Sequence, residues 1–192
     1  MAGVRVDRDW TRLAATLAVA AAVLALAAAP VTAGGLLHEV RLGVLDNNAE
    51  PSGTEDGIDV NFEVLFRRLE TRAERSSFVD YLASPRPHLG ASLNLDGDTS
   101  VVYAGLTWDI PLGDLMALEA SFGAAVHDGP LDEAGFTSYG CQMNFRESLG
   151  LGVELGGGWR VQALVDHMSN ADLCRRNRGL TNAGLRLGLS LD

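Results

Sequence analysis

The sequence predicts an all-β fold, an eight-stranded antiparallel transmembrane β-barrel over residues 34–192. Three observations predict it. Eight stretches of about ten residues alternate apolar with polar or small side chains, the period of two that marks strands. Gly-, Pro- and Asp-containing turn signals separate them at near-regular spacing, with no convincing long helix between. The N-terminus reads as an export signal, and exported strands with one apolar face each lose their unpaired edges by closing on themselves in a membrane.

Met1 to Ala33 forms the expected signal peptide. Arg5, Arg8 and Arg12 precede the apolar run Leu13 to Ala29, and Val31-Thr32-Ala33 offers a small-residue cleavage site. A retained anchor is the alternative. The run is Ala-rich, near the lower limit for spanning, and stops at Pro30, which favours cleavage.

Leu36 to Leu45 reads as the first strand, followed by a polar, acidic loop to Asp56. The second is the clearest. Ile58, Val60, Phe62, Val64 and Phe66 alternate with Asp59, Asn61, Glu63 and Arg67, and only Leu65 breaks the pattern. Such a face is a core in a soluble sheet and a lipid contact in a membrane barrel, and the pattern alone does not separate the two. Arg67 to Pro87 is a longer connection with a short helix expected near Phe78 to Leu82. Strands are then expected from His88 to Leu95, Ser100 to Ile110, Leu115 to Val126, Cys141 to Leu155, Trp159 to Ser169 and Thr181 to Leu191. Asp96-Gly97-Asp98, Pro111-Leu112-Gly113-Asp114 and Gly156-Gly157-Gly158 are the turns that fit between them.

Lys is absent. Of 15 basic and 25 acidic residues, three Arg and two Asp precede Gly34, which leaves 12 against 23 and a net charge of −11 after it. That balance argues against nucleic acid as a partner. No residue set has metal-ligand spacing, and no cofactor is expected. Cys141 and Cys174 both fall in the exported part. There a disulfide is the expected state, with two free thiols as the alternative.

His167 and Ser169 stand two apart at the end of an apolar run, so in a strand they share one face. A Ser hydroxyl beside an imidazole is the nucleophile–base pair of acyl transfer. Their face also holds Trp159, Val161, Ala163 and Val165, so in a membrane barrel the pair meets lipid. Folding the hairpin about Gly157 sets Glu147 opposite His167 and Phe145 opposite Ser169. Glu147 is therefore the candidate acid, and Asp166, adjacent to His167, points the other way.

The longer string His167-Met168-Ser169-Asn170-Ala171-Asp172-Leu173, then Asn177-Arg178-Gly179-Leu180, resembles the end of the outer-membrane lipid A 3-O-deacylases of the PagL type. The likeness extends upstream through Asn144-Phe145-Arg146-Glu147 and Leu149-Gly150-Leu151-Gly152. It implies an esterase of the bacterial outer membrane whose Ser169, activated by His167, removes an acyl chain from lipid A or lipopolysaccharide. It also implies that Asn177, with Asn170, serves the oxyanion and substrate. Pairing of two copies is left open. Two departures stand out. The family carries its acid, a Glu, two residues after the Gly of Asn-x-Gly, where this chain has Thr181. It also has Gly at the place of Asp172. A catalytically silent barrel with a structural or adhesive role is the alternative, and a soluble barrel with inward apolar faces is a third.

Overall fold

The structure is a computed structural model, and it describes residues 35–49, 55–68, 78–133 and 138–191. The export signal read at residues 1–33 lies outside the described residues. Eight strands run in chain order: β1 (Leu37–Asp46), β2 (Ile58–Phe66), β3 (Arg86–Asn94), β4 (Val101–Pro111), β5 (Met116–His127), β6 (Met143–Gly156), β7 (Trp159–Ser169) and β8 (Leu180–Ser190). A single short helix among the described residues, α1 (Phe78–Leu82), lies between β2 and β3. Each strand pairs antiparallel with the next, and β8 pairs with β1 from Glu39↔Ser190 to Asp46↔Ala183, which closes the barrel. Every edge is thereby removed.

Which face is apolar settles what periodicity left open. Val44, Phe122, Leu149, Val165 and Leu185 point outward and are exposed, whereas Arg41, Glu63, Glu119, Arg146, Asp166 and Arg186 are buried inside. A barrel with inward apolar faces is therefore excluded. An outer apolar band over a polar interior is the arrangement of membrane barrels. The long connections β1–β2, β5–β6 and β7–β8 gather at one end, here called the upper end, together with the short β3–β4 loop. The tight β4–β5 and β6–β7 turns lie at the lower end. Trp108 sits toward that lower end and donates its indole N–H to the Leu82 carbonyl of α1 at 2.9 Å.

The interior is a plug of paired ions. The Arg41 guanidinium donates to Glu39 at 2.8 Å, Glu63 at 2.9 Å and Glu119 at 2.6 Å. Arg186 joins the same Glu63 and Glu119 at 2.9 and 2.6 Å. Arg146 donates to Asp166 at 2.9 Å and lies 3.7 Å from the centre of the Tyr103 ring. These ions link β1, β2, β5, β6, β7 and β8 across the lumen. Removing one partner would strand a buried charge, at a cost of about 3–5 kcal/mol. Above the ions, Val101, Tyr103, Ala125, Tyr139, Met168 and Leu180 form a small apolar cluster at the upper end.

Differences from the sequence reading are confined to strand ends. β3 starts at Arg86, two residues early, with Pro87 inside it. Pro87 pairs only with Leu106 of β4, because pairing of β3 with β2 begins at His88. The missing N–H is therefore not needed by the ladder. Leu65 turns into the lumen and is fully buried, next to a register shift at Leu37/Glu39 of β1.

Candidate active site

Strand register positions the site. In the β6–β7 hairpin Glu147 pairs with His167 and Phe145 with Ser169, as the folding about Gly157 anticipates. His167 and Ser169 lie on the outward side of β7, alternating with the buried Leu164, Asp166 and Met168. Both are half-buried rather than fully exposed. Their neighbours on the outer surface are mixed, with the apolar Val165 and Phe145 beside the polar Glu147 and Thr181. Phe145 lies across the ladder from Ser169, and its ring stacks on Phe122 of β5 at 6.0 Å.

On its other flank His167 pairs with Thr181 of β8, and its Nδ1 lies 2.8 Å from Thr181 Oγ1. The residue at the family's acid position thus does engage the imidazole, but through a neutral hydroxyl. The Thr181 hydroxyl oxygen can accept from Nδ1–H, the tautomer that presents Nε2 as a base. Glu147 is held opposite by register on an exposed position of β6. The structure therefore brings His167, Ser169, Glu147 and Thr181 to one outer patch at the upper end.

Gly179 completes the edge of that patch. Its φ is +39°, and a Cβ there would lie 2.6 Å from His167 Cε1 and 3.0 Å from Nε2. Only Gly lets the loop backbone lie against the imidazole in that conformation. This gives the Asn-x-Gly spacing its physical reason.

The two Asn candidates separate into different roles. Asn170 is buried, and its amide donates to the carbonyls of Tyr139 and Arg176, each at 2.6 Å. Its Oδ1 accepts from Cys174 N at 3.3 Å. Both amide hydrogens of Asn170 are thus engaged in tying loops together. Asn177 Oδ1 accepts from the Asn170 backbone N–H at 2.8 Å. That bond aims its amide, and Nδ2 donates to Asp172 Oδ1 at 3.0 Å. Asp172 thus occupies one hydrogen of the candidate oxyanion donor.

The upper loops are tied to one another. Cys141 and Cys174 form a disulfide that joins the β5–β6 and β7–β8 loops across 33 positions, with a Cα–Cα distance of 5.9 Å. Tyr139 is the residue that the sequence reading missed. It is buried, its ring packs edge-on against His127 at 4.7 Å, and its hydroxyl donates to Glu55 Oε2 at 2.7 Å. Thr99 donates to the other Glu55 oxygen at 2.8 Å. One buried aromatic therefore connects all four upper loops. No sequence pattern marked it, because its partners come from distant loops.

Burial pushes the Glu55 carboxyl above its ordinary value, with Asp98 adding to the rise and the Tyr139 and Thr99 hydroxyls partly opposing it. A raised folded value means that the folded state holds the proton more tightly. Glu55 then favours folding most below the ordinary Glu value of about 4.3 and loses that contribution as pH rises through its raised value. Thermal unfolding in detergent across that window should show the native chain weakening with pH relative to Glu55→Gln. Parallel curves would remove Glu55 as the cause.

The family model for lipid A 3-O-deacylase (PagL) matches residues 88–190, more than half of the chain. The chain belongs to the lipid A 3-O-deacylase (PagL) family. The crystal structure of the outer membrane enzyme PagL superposes with a TM-score of 0.56 at 17% identity, covering 80% of this chain and 98% of that one. Neisserial surface protein A gives 0.54 at 8% identity, covering 82% of this chain and 97% of that one. A de novo designed transmembrane β-barrel gives 0.51 at 11% identity, with 82% and 96% covered. These likenesses share the barrel fold. No curated protein sequence matches the chain.

Within the lipid A 3-O-deacylase family, the Asp172 departure has a testable consequence. Asp172 sits at φ +60°, beside Ala171 at +52°. Gly accepts that backbone without strain and frees the Asn177 N–H. A single oxyanion donor is worth about 10²–10³ in kcat. Asp172→Gly is expected to raise kcat by roughly tenfold with no loss of thermal stability, since part of that donor remains available in the native chain. Unchanged deacylation kinetics would remove Asn177 as the donor.

Proposed function

We propose that the protein is a serine esterase that hydrolyses an ester-linked acyl chain of lipid A at the outer leaflet. Residues 1–33 direct export, and residues 34–192 are the mature outer-membrane domain, with the upper end outward. Ser169 Oγ attacks the ester carbonyl while His167 Nε2 takes its proton. The tetrahedral oxyanion is met by the Asn177 amide. Collapse expels the sugar hydroxyl, which receives the proton from His167, and water then releases the acyl group by the reverse roles. Thr181 holds Nδ1, and Glu147, opposite His167 in the ladder, is the candidate for the charge that steadies the imidazolium.

One observation carries this reading. The Ser–His pair lies on the outward apolar face and not in the lumen, where a soluble ester would have to enter a plug of buried ions. Lipid in the outer leaflet is the substrate that meets that face. The test is mass spectrometry of lipid A after incubation with the purified full-length protein. Loss of one hydroxyacyl chain supports the assignment. An unchanged profile from folded protein favours the second reading, a catalytically silent barrel. Thr181 in place of the acid and the Asp172 hold on Asn177 are the observations on that side.

A further inference from the structure

We propose that the β7–β8 loop recognises the phosphorylated sugar headgroup of the substrate, with Arg175 as the contacting residue and Arg178 beside it. This rests on the esterase reading and specifies how that site orients its lipid.

The distribution of charge points to it. Among the described residues, Arg41, Arg146 and Arg186 are buried in the lumen, and Arg67, Arg68, Arg86 and Arg160 sit toward the lower end. The remaining three, Arg175, Arg176 and Arg178, all fall in the loop that begins directly after Ser169. The other upper loops expose acids, among them Asp56, Asp96, Asp128 and Glu133. An acidic rim repels a phosphorylated headgroup over most of the upper end, so an anionic lipid is admitted where the arginines are. That place adjoins the nucleophile.

The three arginines are not equivalent. Arg176 is committed, with Nε donating to Asp132 at 2.9 Å. Arg175 only approaches the same Asp132, at 3.8 Å, and its side chain is 90% exposed. A phosphate can therefore engage the Arg175 guanidinium without breaking a tight pair. The backbone beneath it is held in place. Cys174 is in the disulfide, Asn170 Nδ2 binds the Arg176 carbonyl, and Arg178 N donates to the Ser138 carbonyl at 3.3 Å. Gly140, at φ +78°, lets the β5–β6 loop press against the Arg176 carbonyl where a Cβ would collide. Leu173, in the same loop as these cations, is a 75% exposed apolar group. A preordered loop with one exposed guanidinium loses little entropy on binding an anion.

The experiment measures deacylation of phosphorylated and dephosphorylated lipid A in mixed micelles, by native protein, Arg175→Gln and Arg175→Gln/Arg178→Gln. The expected result is a KM for phosphorylated lipid A raised by roughly tenfold in the double variant, with kcat unchanged and dephosphorylated lipid A unaffected. Equal losses on both lipids, or no change on either, overturns the proposal. Inorganic phosphate is the separate arm. Saturable binding of inorganic phosphate at Arg175 without lipid would assign the loop to free phosphate and also overturn it. Binding of both lipids to Ser169→Ala, followed by fluorescence, separates this proposal from the esterase reading. A phosphate-dependent difference that Arg175→Gln abolishes supports the loop even if native protein cleaves nothing, and its absence counts against the loop alone.

Discussion

Ser169→Ala is expected to leave the barrel intact and to reduce lipid A deacylation by about 10²-fold or more, leaving only the residual rate that oxyanion donors and substrate binding supply. Ser169 is half-buried at the end of β7, outside the buried ion network, so loss of its hydroxyl leaves no lumenal charge without a partner. The size follows from how triads fail. In a well-studied serine hydrolase, removing the nucleophile costs about 2 × 10⁶ in kcat and removing the acid alone about 3 × 10⁴. A Ser–His pair working without a carboxylate therefore retains about 10² over none at all. If Glu147 supplies the missing charge, the native enzyme starts higher and the drop on losing Ser169 is correspondingly larger. Mass spectrometry of lipid A with time courses for both proteins measures it. Native-like deacylation by a folded Ser169→Ala chain would exclude Ser169 as the nucleophile.

Thr181→Glu is expected to raise kcat by roughly 10- to 100-fold. Thr181 already lies directly across from His167 in the β7–β8 ladder, with its hydroxyl 2.8 Å from Nδ1. Orientation of the imidazole is therefore present, and charge is what the position lacks. A carboxylate there would stabilise the imidazolium that forms when Ser169 gives up its proton. Thr181→Val provides the opposite control, removing the hydrogen bond while keeping the β-branched shape, and lowers kcat. Glu147→Gln distinguishes the two candidate partners. A large loss with Glu147→Gln and no gain with Thr181→Glu would make Glu147 the working acid. A gain with Thr181→Glu and little effect of Glu147→Gln would show that the native enzyme runs on a neutral partner.

The sequence and the structure agree most closely where one strand carries the information. The β2 alternation, the eight-strand count and the pairing of Glu147 with His167 all follow from a period of two and a glycine turn. Each depends on neighbouring residues in one or two segments. The candidate pair His167–Ser169 is legible for the same reason. Its place on the apolar face depends only on the parity it shares with Trp159 and Val165. Agreement was poorer for residues whose meaning depends on distant partners. Thr181 reads as a defect in the motif, yet in the fold it holds the imidazole. Asn170 and Asn177 read alike, yet one is spent on the Tyr139 and Arg176 carbonyls and the other is aimed by it. Tyr139 carried no signal at all.

By itself the sequence determined the barrel class, the strand order, the faces of each strand and the presence of a Ser–His pair on an apolar face. These are local consequences of side-chain alternation and turn chemistry. Only the tertiary structure decided that the apolar faces turn outward around a lumen of paired ions. It also decided which hydrogen-bond partner His167 has and how Asp172 competes for Asn177. Those outcomes depend on barrel closure, which brings β8 beside β1 and sets four separate loops at one end, and a linear pattern holds no record of distances between loops.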